Sequence, residues 1–429
     1  MVLKSKRDRL HSVLLWPFAK VSKWLLRALL WIYVSIALID PLDQIFHAKS
    51  ALFLMVVALW LIRLVLGYAE GGRRVVWAGV IGVGLIIPLE ATLVGLLSGR
   101  NPVVGMRFNA LEIFLILFLI LVIECEKVDL AVILIRACAL VALIEIGITI
   151  IAITSPLLYA LIYEFTAIKQ TAYLSRESDR FGFGIGSFYY KTSATMILPL
   201  GYYVARLFRG STLGFTDFML SLLYFVALVF SGARANLVAA IGVVAVFALG
   251  KIRRAFGTVS SAVALVLMIA IAAGLYVPTL IDPAERSNAV KLGHVASYVS
   301  EFDRHPAYLI WGEGADTEFY SAGFQQRTTI TEVTYLELIR NFGIPVSMIL
   351  LAALLWPLSM LLRADARAAG LSYLAVPYVA FVFMAGSNPL LLSTTGMLLV
   401  VSIWGVALSI KTRTIEYPDP QEDPLCLSA

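Results

Sequence analysis

Two arginines and one glutamate stand at the boundaries of long apolar segments. Arg234 follows Ser231-Gly-Ala between two apolar segments that almost no loop separates, and Arg286 lies early in a long polar segment. Glu332 lies where that polar segment returns to an apolar one. A guanidinium offers a fixed fork of donors that suits phosphate oxygens, and a carboxylate can take a proton from a hydroxyl group. These residue types favour an anion-binding site with a general base.

Each of these residues also has a structural interpretation. The Arg234 side chain could extend to a membrane interface, and Arg286 could be a solvated loop residue paired with a nearby acid. The pattern Thr329-x-x-Glu332 fits a capping box, in which a glutamate at the third helical position closes the helix N-terminus. The sequence leaves these alternatives open.

Weaker candidates surround this set. Arg180 precedes Phe181-Gly-Phe-Gly-Ile-Gly186, where backbone amides of the glycine run could help to bind an anion, although a hinge explains those glycines equally well. Lys191 could be a third cation or an interface anchor. The sequence has no Walker A, GxSxG or HExxH motif and no acidic pair that would hold a metal-bound nucleotide sugar. We therefore predict no cofactor and no metal.

The composition decides the class of protein that must position these residues. Of 429 residues, 60% are hydrophobic and 14% are charged, and the mean hydropathy is +0.88. Such a chain has too few charges for the surface of a soluble enzyme or for a disordered scaffold. Its apolar blocks of about 20 residues match the thickness of a bilayer. We predict an all-α polytopic membrane protein, in which Lys and Arg residues set the orientation, so that the net charge of +6 does not indicate nucleic-acid binding.

The apolar blocks predict about twelve transmembrane helices. They lie near 22–39, 51–68, 76–97, 109–124, 128–153, 189–206, 216–231, 235–250, 258–277, 335–362, 371–385 and 389–410. The basic loops then fall on one side together with both termini, and the positive-inside rule makes that side cytoplasmic. The block 335–362 is long for one crossing, so its first turns could lie in the interface or the helix could tilt.

This topology divides the chain into six segments. They are residues 1–153 with helices 1–5, a periplasmic segment 154–188, residues 189–277 with helices 6–9, a periplasmic loop 278–334, residues 335–410 with helices 10–12, and a disordered cytoplasmic tail 411–429. The loop 278–334 should carry the active site on short helices, because long structureless loops are uncommon. We expect one helix with Leu292, Val295, Tyr298 and Val299 on one face along the membrane surface, and then a turn at Trp311-Gly-Glu-Gly314.

The order of these motifs resembles that of a known family. Ser231-Gly-Ala-Arg234, Arg286, Trp311-Gly-Glu-Gly314 and Glu332-Val-Thr-Tyr335-Leu336-Glu337 follow one another, and Gly343 opens the next apolar block. This arrangement resembles the bacterial O-antigen polymerase and ligase family (Wzy/WaaL-type), whose members share a GT-C-like membrane fold. The similarity in plan covers most of the chain and is sharpest over residues 180–345.

One departure from the family pattern indicates a polymerase. Ligases of this family carry His-Asn-x-Tyr-Leu at this position, with the histidine as the proposed base, whereas this chain has Glu332 and Val333 in the first two places. Polymerases look similar but commonly carry an acid or another polar residue there. The resemblance thus implies an enzyme of the bacterial inner membrane, with its active site facing the periplasm.

The implied reaction transfers a growing glycan from undecaprenyl pyrophosphate to a lipid-linked repeat unit, without a metal and with inversion. Glu332, Arg234 and Arg286 are then the predicted catalytic residues. Further residues are expected to contact the substrate: Arg180, Lys191, Tyr335, His305 and Glu337. The expected partners are the lipid-linked oligosaccharide, the lipid bilayer, and a chain-length regulator and flippase of the same pathway.

Two other functions remain open at this point. A ligase would move the glycan to lipid A-core or to another acceptor. A transporter or flippase of lipid-linked oligosaccharides also commonly has about twelve helices, but it predicts an internal repeat and ionisable residues near the middle of the membrane. No repeat is visible in this sequence, and the candidate residues cluster at one surface.

Overall fold

In a computed structural model the chain is predominantly helical. The structure describes residues 2–99, 109–169, 172–175, 187–209, 214–253, 257, 260, 263, 286–386 and 388–416. Five helices within these ranges are long and apolar enough to cross a membrane: Phe18–Ile39, Arg74–Leu97, Leu130–Thr154, Arg234–Arg253 and Thr334–Leu361. The prediction of an all-α membrane protein is confirmed at this level, whereas the count of twelve crossings stays a prediction.

The helices are numbered here in chain order. They are α1 (Val2–Ile39), α2 (Lys49–Val65), α3 (Arg74–Leu97, with a π-helical turn at Gly82–Ile86), α4 (Asn109–Leu115), α5 (Phe118–Glu126), α6 (Leu130–Thr154), α7 (Pro156–Lys169), α8 (Ile197–Arg209), α9 (Phe215–Phe230), α10 (Arg234–Arg253), α11 (Arg286–Arg304), α12 (Tyr308–Trp311), α13 (Thr334–Leu361), α14 (Ala364–Ala368), α15 (Ala375–Gly386) and α16 (Thr394–Glu416). Helical segments lie at every predicted crossing except 258–277, most of which lies outside the described residues. Residues 411–416 of the predicted disordered tail are helical and belong to α16, whereas residues 417–429 lie outside the described residues.

Helix α13 is divided by a sharp kink at Gly343. This glycine has φ 73° and ψ 167°, which is not a helical conformation. The part after the kink, 344–361, rises about 27 Å at 1.5 Å per residue, close to the thickness of the hydrocarbon core. The part before it, 334–342, is a separate short helix. The predicted crossing 335–362 is too long for one crossing because it joins this short helix to the membrane-length part after the kink.

Two short antiparallel hairpins were not predicted from the sequence. Strand β1 (Ala172–Ser175) pairs with β2 (Ser187–Tyr190), and β3 (Phe319–Ser321) pairs with β4 (Gln326–Thr328). They lie at the two segments predicted to be periplasmic. The helices of these segments are α7 in the first, and α11 and α12 in the second.

Helix α11 differs in detail from its prediction. Leu292, Val295 and Val299 are exposed, as expected for a face along a membrane surface. Tyr298 was predicted on that same face but is fully buried. The reason is helical spacing, since residues 292, 295 and 299 lie three and four apart along one stripe, and Tyr298 lies beside that stripe.

One end of the helical array is marked by Lys49. This residue begins α2, and its ammonium group donates to Thr394 Oγ1 at the start of α16 (3.2 Å). Thr334, the first residue of α13, donates through Oγ1 to the Asn388 carbonyl in the segment before α16 (2.7 Å). The starts of α2, α13 and α16 therefore share one end, which we call the Lys49 end.

The opposite end is marked by Arg63 near the end of α2. Its guanidinium makes a two-point contact with Glu126 at the end of α5, at 2.7 and 2.9 Å. Nearby, Arg73 donates to the Leu408 carbonyl in the second half of α16 (3.3 Å). We call this the Arg63 end.

Candidate functional site

Glu332 lies on a bend immediately before α13 and is partly exposed. The helix begins at Thr334, and its N-cap residue, Val333, makes no side-chain capping bond. Leu336 therefore occupies the third helical position, which a capping box would give to the glutamate. The capping-box interpretation of Glu332 is wrong, because the helix starts two residues after it.

A buried ionic cluster lies directly beneath this bend. At its centre is Arg340, whose side chain has no solvent exposure. Nη1 of Arg340 donates to Glu313 Oε2 (2.9 Å) and to Thr317 Oγ1 (2.8 Å), and Nη2 donates to Glu337 Oε1 (2.6 Å) and to the Thr329 carbonyl (3.0 Å). One guanidinium thus ties α13 to the turn at 311–314 and to the segment that leads into Glu332.

The Glu337 carboxylate forms the second half of this cluster. Its Oε2 accepts a hydrogen bond from the Tyr298 hydroxyl and one from Thr331 Oγ1 (3.3 Å), and its Oε1 accepts one from Asn341 Nδ2 (3.3 Å). The hydroxyl oxygens of Tyr298 and Thr331 lie 2.6 Å apart. Burial and the neighbouring Glu337 charge both raise the pKa of Tyr298, so its hydroxyl remains a donor. We call Tyr298, Glu313, Thr331, Glu337 and Arg340 the Arg340 cluster.

Close glycine contacts fix the turn that supplies Glu313. The Glu313 amide donates to the Arg340 carbonyl (2.6 Å). A Cβ on Gly312 would lie 2.5 Å from the Asn341 carbonyl oxygen, and one on Gly343 would lie 2.3 Å from that of Ile310. Both glycines have positive φ values of 77° and 73°. Only glycine lets this turn and the kink of α13 approach so closely.

The same turn also contacts the last part of α3. The Ala315 amide donates to the Ala91 carbonyl (2.8 Å). A Cβ on Gly314 would lie 2.3 Å from the Gly95 nitrogen, so these backbones are in direct contact. The predicted turn at Trp311-Gly-Glu-Gly314 is confirmed, and it joins α3 to α13 at the Lys49 end.

Arg234 is the first residue of α10, and the direction of α8 helps to locate it. Ser193 donates to Glu145 Oε2 (2.7 Å), and Thr195 lies against Cys138 (3.6 Å between Oγ1 and Sγ). The segment leading into α8 therefore runs antiparallel to α6. Because α6 begins four residues after Glu126, α8 runs toward the Arg63 end.

The connection from α8 to α9 lies at the Arg63 end. Arg206 near the end of α8 pairs with Asp217 in the first turn of α9 (3.2 Å), so α9 begins at the Arg63 end. Helix α9 then returns to the Lys49 end, where Gly232, with a φ of 65°, turns the chain into Arg234. Arg234 and Glu332 thus lie at the same end of the array.

The other predicted cations lie on other segments of the chain. Arg286 is the first residue of α11, twelve residues before Tyr298, or about 18 Å along the helix. Lys191 follows β2, is partly buried, and holds its ammonium 5.9 Å from the centre of the Tyr173 ring. Arg180 lies outside the described residues.

The three other residues predicted to contact substrate have protein partners. The Tyr335 hydroxyl donates to the Val382 carbonyl (2.6 Å). His305 is partly exposed and lies 4.0 Å from Glu301. Glu337 is almost completely buried within the Arg340 cluster. In this structure the Glu337 carboxylate holds the bend, and Glu332 is the more exposed of the two acids.

An apolar cavity of about 290 Å³ lies among α3, α5, α13 and α16. Its lining includes Val80, Leu338, Leu354, Leu391 and Trp404. Leu338 follows Glu337 directly in α13, so one part of the cavity adjoins the Arg340 cluster. Its size and apolar lining suit a hydrocarbon chain.

Sequence reasoning missed Arg340 and Glu313 as site residues. A signal for Arg340 was present, because an arginine within a predicted crossing requires a buried partner. The i,i+3 spacing of Glu337 and Arg340 supplies one such partner. Glu313 lies 27 residues before Arg340 and had no comparable signal.

Comparison of the chain with protein-family models, with curated proteins and with solved structures gives no match.

Proposed function

We propose that this protein is a membrane glycosyltransferase that polymerises lipid-linked oligosaccharides at the outer face of a bacterial inner membrane. A growing glycan on undecaprenyl pyrophosphate would be the donor, and a single lipid-linked repeat unit the acceptor. The observation that carries the proposal is the position of Glu332. It is a partly exposed carboxylate on a bend that directly precedes α13 and is anchored by a buried ionic cluster.

Glu332 would act as the general base. The attacking group is a sugar hydroxyl, whose proton must leave as the new glycosidic bond forms, and a carboxylate within about 3 Å can accept it. Direct displacement by this hydroxyl would invert the anomeric configuration. The departure of the pyrophosphate breaks the old bond, and the electron pair passes to the leaving phosphate oxygen.

Arg234 and Arg286 would stabilise the charge that develops on that oxygen. Fixed cations in a water-poor site are effective because they need no reorganisation as the reaction proceeds. The placement of Arg234 at the same end of the array as Glu332 supports its assignment. Arg180 and Lys191 remain secondary candidates for the same anion.

The apolar cavity beside α13 supports a lipid-linked substrate. It adjoins Leu338, one residue from the cluster that anchors the Glu332 bend. Part of a polyprenyl chain in this cavity would leave its pyrophosphate near the Lys49 end, where Arg234 begins α10. The substrate would then enter from the bilayer, which suits a donor that never leaves the membrane.

The decisive experiment measures turnover of lipid-linked oligosaccharide by the purified protein and by three variants. We expect Arg234→Ala and Arg286→Ala each to lower kcat by about a hundred- to a thousandfold, through the loss of electrostatic stabilisation. Glu332→Gln should lose activity comparably, because an amide cannot accept the proton. Wild-type rates in all three variants would refute the proposed site.

Analysis of the products separates the related functions. A ladder of repeat units indicates polymerisation, and a single transfer to a foreign acceptor indicates a ligase. Movement of the lipid-linked glycan across a vesicle membrane without new glycosidic bonds would indicate a flippase and would refute the enzyme.

A further inference from the structure

We infer that Arg340 is a positioning residue for Glu332, an assignment that rests on the proposed function. Arg340 cannot touch substrate, because its side chain has no exposure and its two terminal nitrogens are bound within the protein. One of its hydrogen bonds goes to the Thr329 carbonyl in the segment that carries Glu332, and its partner Glu337 binds Thr331 in the same segment. The inference therefore concerns how the base is held.

The bend is fixed at points on both sides of Glu332. Three residues before it, the Thr329 carbonyl accepts a hydrogen bond from Arg340, and one residue before it, Thr331 bonds to Tyr298 and Glu337. Two residues after it, Thr334 donates to the Asn388 carbonyl. The backbone of Glu332 is thus held between buried anchors while its side chain stays partly exposed.

The guanidinium is suited to this role by its shape. It joins three segments at once: the turn with Glu313, the segment with Thr329, and α13 itself through Glu337. The Arg340 guanidinium also lies 4.3 Å from the centre of the Phe319 ring in β3. A lysine has a single nitrogen and cannot keep these directions together, so Arg340→Lys should keep the charge and loosen the bend.

The test compares kcat, KM and the pH dependence of kcat/KM in the full-length purified protein. We expect Arg340→Lys to lower kcat by about 10- to 100-fold, as expected for a displacement of about 1 Å of a catalytic group, with a much smaller change in KM. The acidic limb of the pH profile, which Glu332→Gln should abolish, should also shift in Arg340→Lys. Mere loss of folded protein would scale the rate without moving that limb.

Two further variants make the test specific. Thr331→Val removes a hydroxyl from the cluster at nearly constant volume and should also lower kcat and shift the same limb, but less. Arg63→Lys alters an equally buried ion pair at the opposite end and should change neither kcat/KM nor its pH profile. If Arg340→Lys fails to fold, Thr331→Val carries the test.

The results separate this inference from the proposed function. Loss of activity in Glu332→Gln, with unchanged kcat and pH profile in Arg340→Lys and Thr331→Val, would overturn the positioning role alone. Full activity in Glu332→Gln would overturn the base itself, and the positioning role with it. An Arg63→Lys profile that moves like that of Arg340→Lys would also overturn the inference, because the effect would then be general.

Discussion

The two ends of the helical array each bury an arginine, but for different purposes. At the Arg63 end, Arg63 forms a two-point pair with Glu126 and also donates to the Ala19 carbonyl, and so joins α2, α5 and α1. At the Lys49 end, Arg340 binds two carboxylates and two segments without regular secondary structure. The first arrangement fastens helices to one another. The second fixes the bend that carries the partly exposed Glu332.

The two arrangements differ in whether apolar packing could replace the buried arginine. A buried ion pair contributes little net stability over apolar packing, because desolvation of the charges offsets their attraction. Helix packing could be achieved without such groups. A bend with few apolar residues of its own has no alternative, and it needs directional bonds to keep one conformation.

The largest effect that tests this contrast is removal of the arginine itself. Arg340→Met leaves Glu313 and Glu337 buried without their cation, and we expect a loss of about 3–5 kcal/mol in the free energy of unfolding. Arg63→Met should lower the free energy of unfolding by less, because it leaves only Glu126 buried without its cation. Denaturant unfolding in mixed micelles, followed by tryptophan fluorescence, measures both.

Arg73→Met is the matched control for these two variants. Its guanidinium pairs with Glu124 but is 49% exposed. Although the Glu124 side chain is only 9% exposed, solvent reaches the guanidinium, and we expect Arg73→Met to lower the free energy of unfolding by less than Arg340→Met does. An equal loss in Arg73→Met and Arg340→Met would contradict the view that burial of the cluster determines its effect.

An intermediate effect comes from the backbone around the same cluster. Gly343→Ala places a Cβ 2.3 Å from the Ile310 carbonyl oxygen, in a backbone conformation that is almost restricted to glycine. Gly67→Ala is the control, since Gly67 has a similar φ of 74° but no atom within 4 Å of the added carbon. We expect about 1–2 kcal/mol for Gly67→Ala and about 1–3 kcal/mol more for Gly343→Ala.

The same unfolding assay measures both glycine variants. Limited proteolysis reports on the bend in parallel. Proteolysis near residues 329–333 should increase in Gly343→Ala and stay unchanged in Gly67→Ala. Equal losses of stability in the two variants would mean that backbone conformation alone matters, and that the approach of Ile310 to Gly343 does not.

The sequence alone could predict the long apolar helices but not the Arg340 cluster at the Lys49 end. Apolar blocks of bilayer length locate α3, α6 and α13 because burial in hydrocarbon depends on composition. The location of Glu332 just before α13 follows from the change there from a polar to an apolar sequence. The kink at Gly343 does not, since glycine is common in transmembrane helices and its positive φ depends on contact with a distant turn.

The rest of the site escaped prediction for a related reason. Tyr298, Glu313 and Arg340 are separated by 15 and 27 residues in sequence, and their contacts arise only when α11 and the turn pack on α13. The hairpin β3–β4 has strands of three residues, too short for a clear alternating pattern. Local patterns thus indicate which segments meet the membrane, and long-range packing decides which polar groups meet one another.

The smallest expected effect is a pH-dependent loss of stability around His294 that the Arg63 end should not show. His294 in α11 is fully buried, its Nδ1 lies 2.7 Å from Ser321 Oγ, and burial lowers its pKa, opposed by the nearby Glu337 charge and assisted by Lys291. The fold therefore favours the neutral ring. The stability that the neutral ring contributes to the fold is complete above the ordinary histidine pKa of about 6.5, and it is lost as the pH falls below that value through the lowered pKa of the folded state.

Amide hydrogen exchange, corrected for its intrinsic pH dependence, should show protection decreasing from pH 7 to 5 in α11 and β3 but not in α5 at the Arg63 end. His294→Gln should remove this dependence, because its side chain does not titrate. A decrease of the same size in α5, or one that persists in His294→Gln, would show that His294 is not its cause.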